Sequence, residues 1–346
     1  MYSIEGYEFK IEDFFPISVM EKITDIRVEC PEIIPWHAKR RRRRKKITKD
    51  GKLAILAADH PARGITSSGI DPMIMGNRQE FLGRIVRVLT DDRFDGVMGT
   101  TDVLEELFLV DYLITENGGK SILDDKVLIG CMNRGGLSGC RFEMNDRFTS
   151  WTAETLYEMG IDGAKLMFRL DPESEDSGKT IKYCADAINE LSDYGITVFL
   201  EALAVEGKEK GYKTKKNAED IVKVVGIATA LGKTSRYTWL KIPYSENYEI
   251  VAKATTCPIL MLGGASKGDP TPVMEEFVKG MKAGKNVRGV LVGRNVIFPG
   301  KDDPRAVAGA IGRIVHDGIS IDDAIDYLMK VRGKDMDFVR RYVNGT

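Results

Sequence analysis

One lysine, Lys241, stands inside the apolar stretch TWLKIPY (238–244), between Trp239, Leu240, Ile242 and Pro243. An unpaired ammonium group buried among such residues is costly, so it must reach water, pair with an acid or give up its proton. An amine that gives up its proton is a nucleophile toward carbonyl carbon. Two more ionisable residues sit in comparable stretches: Lys165 in DGAKLMFRLD (162–171) and Glu201 in GITVFLEALA (195–204). A second cation or an apolar wall lowers the pKa of a lysine toward working pH. A carboxylate beside it can move protons through carbinolamine formation and carbon–carbon cleavage, with the iminium ion as electron sink. The same three residues also suit a salt-bridge network that closes a buried core, and spacing alone does not choose between the two.

Other apolar stretches end in polar residues of a limited kind. Asp59, His60 and Arg63 follow KLAILAADH (52–60), Asn133 and Arg134 end KVLIGCMNRGG (126–136), and Arg169 follows Lys165. CPILMLGGAS (257–266) ends in Gly263, Gly264, Ala265 and Ser266, and VRGVLVGRN (287–295) in Gly293 and Arg294. Exposed backbone N–H groups at GGAS and the guanidinium of Arg294 suit a phosphate group, although the glycines also read as plain turn residues. His60 is the one histidine at the end of such a stretch. A metal-dependent reaction would need a His/Asp/Glu cluster, so neither a metal nor a cofactor is expected.

The elements that must carry these residues number eight. To the stretches already quoted is added DGVMGTTD (95–102), and all of them alternate with segments of helical periodicity such as RQEFLGRIVRVLTDD, TIKYCADAINELSDYG and TPVMEEFVKGMKAG. Apolar strands alternating with amphipathic helices predict βαβ units and a parallel sheet. Eight units predict a (β/α)8 TIM barrel over residues 51–346, preceded by an extension over residues 1–50 in which FFPISVMEKITDIR has helical character. An open doubly wound sheet is the rival, but AADHPARGI is not the Gly-rich loop it needs after its first strand. In a barrel, the polar residues at the C-terminal strand ends share one face. Residues of alternate parity on each strand point inward, so Lys165, Glu201 and Lys241 can converge.

Composition narrows the partners. The chain has 346 residues, 43% hydrophobic and 30% charged, with a formal net charge of −1. No global field therefore favours nucleic acid or an acidic membrane. No apolar run is long enough to span a bilayer, and MYSIEGYEFKIEDF lacks the apolar core of a signal peptide. Five cysteines without CxxC spacing fit a reducing, cytoplasmic setting. The basic run KRRRRRKK (39–46) has no interleaved aromatics. It reads as a solvated or subunit-bridging loop, a phosphate-facing segment or, least well, a nucleic-acid patch. A small sugar phosphate is the expected ligand, with no nucleic acid or membrane partner and a homo-oligomeric assembly.

The stretch LMLGGASKGDPTPVMEEFVKGMKAGKNVRGVLVGRNVIFPGKDDP resembles the corresponding part of archaeal-type class I fructose-bisphosphate aldolases, where turns of this kind hold the substrate phosphate. DGAKLMFRLDPE, ITVFLEALAVEG and TWLKIPY resemble class I tagatose-bisphosphate and sulfofructose-phosphate aldolases. AADHPARG with the preceding basic run is similar to a barrel family encoded beside inositol-breakdown genes. The resemblance covers residues 51–305. It implies Lys241 as the Schiff-base lysine, Lys165 as the second lysine, Glu201 as the catalytic glutamate and Asp59 as the acid that handles substrate hydroxyls. The archaeal-type enzymes place a tyrosine where this chain has EALA, so Glu201 would carry proton donation here. The implied activity is a lyase that forms a lysine Schiff base with a phosphorylated ketose or keto acid and releases dihydroxyacetone phosphate and an aldehyde. One implied substrate is 2-deoxy-5-keto-gluconate 6-phosphate of inositol breakdown, whose carboxylate would suit Arg63, Arg134 and Arg169. A different ketose phosphate, or a non-catalytic sugar-phosphate-binding barrel, are the alternatives.

Overall fold

The computed structural model describes residues 2–133 and 136–343. All eight apolar stretches form strands. They are β1 (Leu53–Ala58), β2 (Gly96–Gly99), β3 (Val127–Cys131), β4 (Gly163–Leu170) and β5 (Thr197–Gly207), followed, after a short β6 (Tyr212–Thr214), by β7 (Thr238–Pro243), β8 (Ile259–Leu262) and β9 (Val287–Val292). Barrel neighbours are parallel throughout, and β9 pairs with β1 to close the sheet. The fold is a (β/α)8 TIM barrel. β6 lies outside it, paired antiparallel with the end of β5 as a hairpin.

Burial on both faces explains why the strands read as unbroken apolar runs: LAILAA of β1 is buried at every position. Inside, Leu53, Ile55, Met98, Ile129, Phe199 and Leu291 belong to one packed cluster. The strand period of two then carries polar residues onto the same inward face one level higher, Asp59 above Ala57, Glu201 above Phe199 and Lys241 above Trp239. Outside, the helices Arg78–Leu89, Asp176–Asp193, Thr271–Gly280 and Pro304–Asp317 occupy the predicted amphipathic segments.

The extension forms helices Ile11–Phe14, Ile17–Glu29 and Ile33–Arg40. Phe14 and Phe15 are fully buried. Gly83 admits Ile11 and Phe15, because a Cβ there would stand 2.6 Å from Ile11 Cδ1 and 2.8 Å from Phe15 Cβ.

The basic run keeps most of its charges in solvent, with Lys39, Arg40, Arg42, Arg43, Lys45 and Lys46 exposed, while four of its arginines also bind acids of the barrel. Arg41 is buried and donates to the carbonyls of Lys126 (2.7 Å) and Gly160 (2.8 Å) and to Asp162 Oδ2 (2.9 Å). Arg42 pairs with Asp125 (2.7 Å), Arg43 with Asp162 (2.9 Å) and Arg44 with Asp95 (2.8 Å). Those acids precede β2, β3 and β4, so the arginines strap the N-terminal ends of three strands together. This is the end of the barrel opposite the C-terminal strand ends.

Among the described residues, no helix is long and apolar enough to cross a membrane.

Candidate active site

Register sets the geometry. Glu201 on β5 stands opposite both Met167 on β4 and Lys241 on β7, so Glu201 and Lys241 share a level. Lys165 stands opposite Phe199, one inward position lower. From there its side chain rises to the acids above it: Nζ lies 2.9 Å from Asp59 Oδ2 and 2.8 Å from Glu201 Oε2. Lys241 Nζ lies 2.9 Å from the same Glu201 oxygen. The result is a chain of alternating charge, Asp59–Lys165–Glu201–Lys241, with formal charges in balance. Lys165 has no exposed side-chain surface, whereas Lys241 keeps 6%.

The electrostatics follow from that chain. Burial disfavours the Glu201 carboxylate, but Lys165 and Lys241 outweigh it and hold its pKa down to about 2. Burial likewise works against Asp59, and the same two ammonium groups hold it well below the usual carboxylate range. Burial lowers Lys165 less than Asp59 and Glu201 raise it, so it stays protonated. Burial also pushes His60 down to about 4 against the pull of Asp59, leaving a neutral imidazole near pH 7.

A cavity of about 1380 Å³ opens above the chain at the C-terminal strand ends. Lys241, Glu201, Asp59 and His60 reach it from within the barrel, and Gly264, Ala265 and Arg294 from the ends of β8 and β9. Gly264 has φ +69°, a conformation that favours glycine, and Lys216 Nζ lies 3.7 Å from where its Cβ would be. Lys165, Gly263, Ser266 and Gly293 are absent from the cavity wall. Gly263 and Gly293 serve packing: a Cβ would stand 2.7 Å from Val292 Cγ2 at the first and 2.4 Å from His60 Cε1 at the second. The Ser266 hydroxyl donates to the Phe298 carbonyl (2.7 Å) and accepts from Gly268 N (3.2 Å).

Arg63 and Arg169 line the cavity, but their charges are already engaged. Arg63 bonds Asp146 Oδ2 (2.9 Å) and the carbonyls of Asn133 (2.6 Å) and Gly136 (3.0 Å). Arg169 bonds the Glu143 carbonyl at 2.7 Å, with a Glu143 carboxylate oxygen at 3.5 Å. Asn133 joins β3 to β4 by bonding both Met167 N (2.7 Å) and Met167 O (2.6 Å). Arg134 lies outside the described residues.

Sequence reasoning overlooked the β5–β6 hairpin, whose Tyr212, Lys213, Lys215 and Lys216 form one wall of the cavity. Gly207 N donates to Asp171 Oδ2 (3.0 Å) and Lys215 N to the Ala204 carbonyl (2.8 Å), which fixes the hairpin to the barrel. The available signal was the alternation in GYKTKK after a glycine turn.

A closed parallel barrel with a buried lysine–carboxylate chain below a cationic mouth defines a (β/α)8 barrel protein with a site at its C-terminal face. The chain belongs to the Cgl0159-like family, whose model matches residues 51–312. It is 34% identical to Cgl0159 from Corynebacterium glutamicum, whose crystal structure superimposes with a TM-score of 0.80 over 87% of this chain and 98% of that one. It is 24% identical over 294 residues to 2-amino-3,7-dideoxy-D-threo-hept-6-ulosonate synthase 1 of Archaeoglobus fulgidus, covering 83% of this chain and 95% of the synthase. A Schiff-base-forming fructose-1,6-bisphosphate aldolase shares the fold at 20% identity and a TM-score of 0.54, over 82% of this chain and all of the aldolase.

Proposed function

We propose that the protein is a class I aldolase that cleaves a phosphorylated ketose or keto acid to dihydroxyacetone phosphate and an aldehyde. One observation carries the reading. Of the two lysines joined through Glu201, only Lys241 lines the cavity, with its amine 2.9 Å from a carboxylate able to relay protons. The barrel shared with a Schiff-base-forming aldolase supports it.

In this reaction the Lys241 amine, once its proton has passed to Glu201 or water, adds to the substrate carbonyl. Loss of water from the carbinolamine gives an iminium ion. Glu201 then takes the proton of the hydroxyl on the far carbon of the breaking bond, the carbon that becomes the aldehyde. The carbon–carbon bond electrons flow into the iminium, the aldehyde leaves and an enamine remains. Protonation at carbon and hydrolysis release dihydroxyacetone phosphate and restore Lys241. Lys165 stays protonated throughout and orients Glu201. The phosphate lies against Gly264, Ala265 and Arg294, where backbone N–H groups and a guanidinium meet it.

The test is borohydride reduction in the presence of dihydroxyacetone phosphate, followed by peptide mapping. The expected adduct is on the peptide carrying Lys241. An adduct on Lys165, or none at all, would refute the assignment.

A further inference from the structure

The hairpin supplies a charge that the proposed phosphate site otherwise lacks. A phosphate monoester carries a charge of about −1.5 to −2 near pH 7, yet of the barrel cations that line the cavity Arg63, Arg169 and Lys241 are held by carboxylates, and among the described residues Arg294 alone has no ion pair. Lys216 stands beside that turn. Its Nζ lies 3.7 Å from where a Cβ on Gly264 would be, and among the described residues no other heavy atom outside Gly264 and its two chain neighbours lies within 4 Å of that point. Neither Lys216 nor Arg294 takes part in an ion pair among the described residues, and the Arg294 Nε is buried without a hydrogen-bond partner. Glu276, on the helix Thr271–Gly280, feels the charge of Lys216 without pairing with it. The other lysines of the hairpin are less suited: Lys215 is 3.6 Å from Asp220, and Lys213, exposed as Lys216 is, does not stand beside Gly264.

We propose that Lys216 is a specificity-determining ligand of the substrate phosphate, pairing with Arg294 across Gly264 to match a dianion with two cations. The inference rests on the aldolase reading for the identity of the substrate, but not for the presence of the anion site. Anchoring of the hairpin through Asp171 and Ala204 holds the Lys216 backbone near the turn before ligand arrives, so binding has only its exposed side chain to order. The site therefore prefers a phosphomonoester to a singly charged or neutral end group.

The measurement is the half-saturating concentration for borohydride trapping with dihydroxyacetone phosphate and with dihydroxyacetone, for the wild type, Lys216→Met and Lys216→Arg. Loss of one charge-assisted contact in Lys216→Met is expected to raise the value for the phosphorylated ketone about 10- to 100-fold relative to the unphosphorylated one. Lys216→Arg is expected to restore most of the difference. An unchanged ratio in Lys216→Met, or equal weakening of both ketones, overturns the proposal. If the wild type traps neither ketone, the aldolase reading fails on its own. Calorimetric titration with inorganic phosphate then decides the anion site: binding that is weaker by about tenfold or more in Lys216→Met supports it. Equal binding to both proteins, or none to the wild type, overturns it.

Discussion

Replacing Glu201 by glutamine separates the ionic and catalytic roles of the central carboxylate. The substitution keeps shape and hydrogen-bonding capacity while deleting one of two negative charges in a buried chain of four. Glu201 is held at about 2, against an ordinary value of 4.5. A depression of that size corresponds to roughly 3 kcal/mol of folding free energy at neutral pH. The figure meets the low end of the 3 to 5 kcal/mol typical of breaking a buried pair from one side. The low end fits the geometry, because Lys165 keeps Asp59 at 2.9 Å and the ammonium left without its acid, on Lys241, faces the cavity.

Because the folded-state pKa is depressed, this contribution is complete above about pH 4.5 and disappears as pH falls through about 2. Urea unfolding of the wild type and Glu201→Gln should therefore differ by about 3 kcal/mol at pH 7 and converge progressively below pH 4.5. At pH 7 the folded variant should turn over about 10²- to 10⁴-fold more slowly, while Lys241 is still trapped by borohydride with excess ketone. A stability difference that persists unchanged at low pH would refute the ionic origin. Near-normal turnover in the folded fraction would refute the proton relay and leave only the structural network.

Lys241→Arg retains a cation for Glu201, but arginine holds its proton too tightly to form an imine; it should fold normally by circular dichroism and give neither turnover nor a borohydride adduct. At the opposite end of the barrel, His316 bridges Asp50 (2.8 Å) and Asp95 (2.9 Å), and although burial opposes it, these acids raise its pKa from 6.5. Its contribution is present below pH 6.5 and lost as pH rises through the raised folded value, so His316→Gln should flatten the fall in urea midpoint above pH 6.5.

The barrel was legible because strands covered on both faces leave unbroken apolar runs, and helices covered on one face leave a 3.6-residue period. The inward alternation that carries Glu201 and Lys241 was equally open to inspection. The lower level of Lys165 was not, since the register between parallel strands depends on barrel stagger rather than on any single strand. For the same reason the acids that the arginine run engages were hidden: Asp95, Asp125 and Asp162 are local to nothing in the run itself. Gly263 and Gly293 also make room for Val292 and His60, a requirement that depends on packing between strands and so was not legible. The three-residue β6 carries too little periodicity to announce itself, and Lys216 was overlooked with it.

On the proposed reaction, the second pair of the charge chain explains why the site uses two lysines. When Glu201 takes the substrate proton and the iminium becomes an enamine, both charges of the Glu201–Lys241 pair vanish together, so no buried charge is stranded there. Lys165 would lose its partner in that step were it not also 2.9 Å from Asp59. Asp59 also pushes the Glu201 pKa upward, which makes protonation of Glu201 easier than the two lysines alone would allow. Asp59→Asn should therefore leave Lys165 bound to Glu201, deepen the hold on that carboxylate and slow proton uptake. The expected loss in kcat is about 10- to 100-fold, below that of deleting the relay itself. Trapping at Lys241 should persist, because imine formation does not require protonated Glu201 to accumulate. Steady-state kinetics with a cleavable ketose phosphate decide the point. A loss confined to KM would assign Asp59 to the substrate hydroxyls, and an unchanged kcat would show that Lys165 needs no second acid to free Glu201.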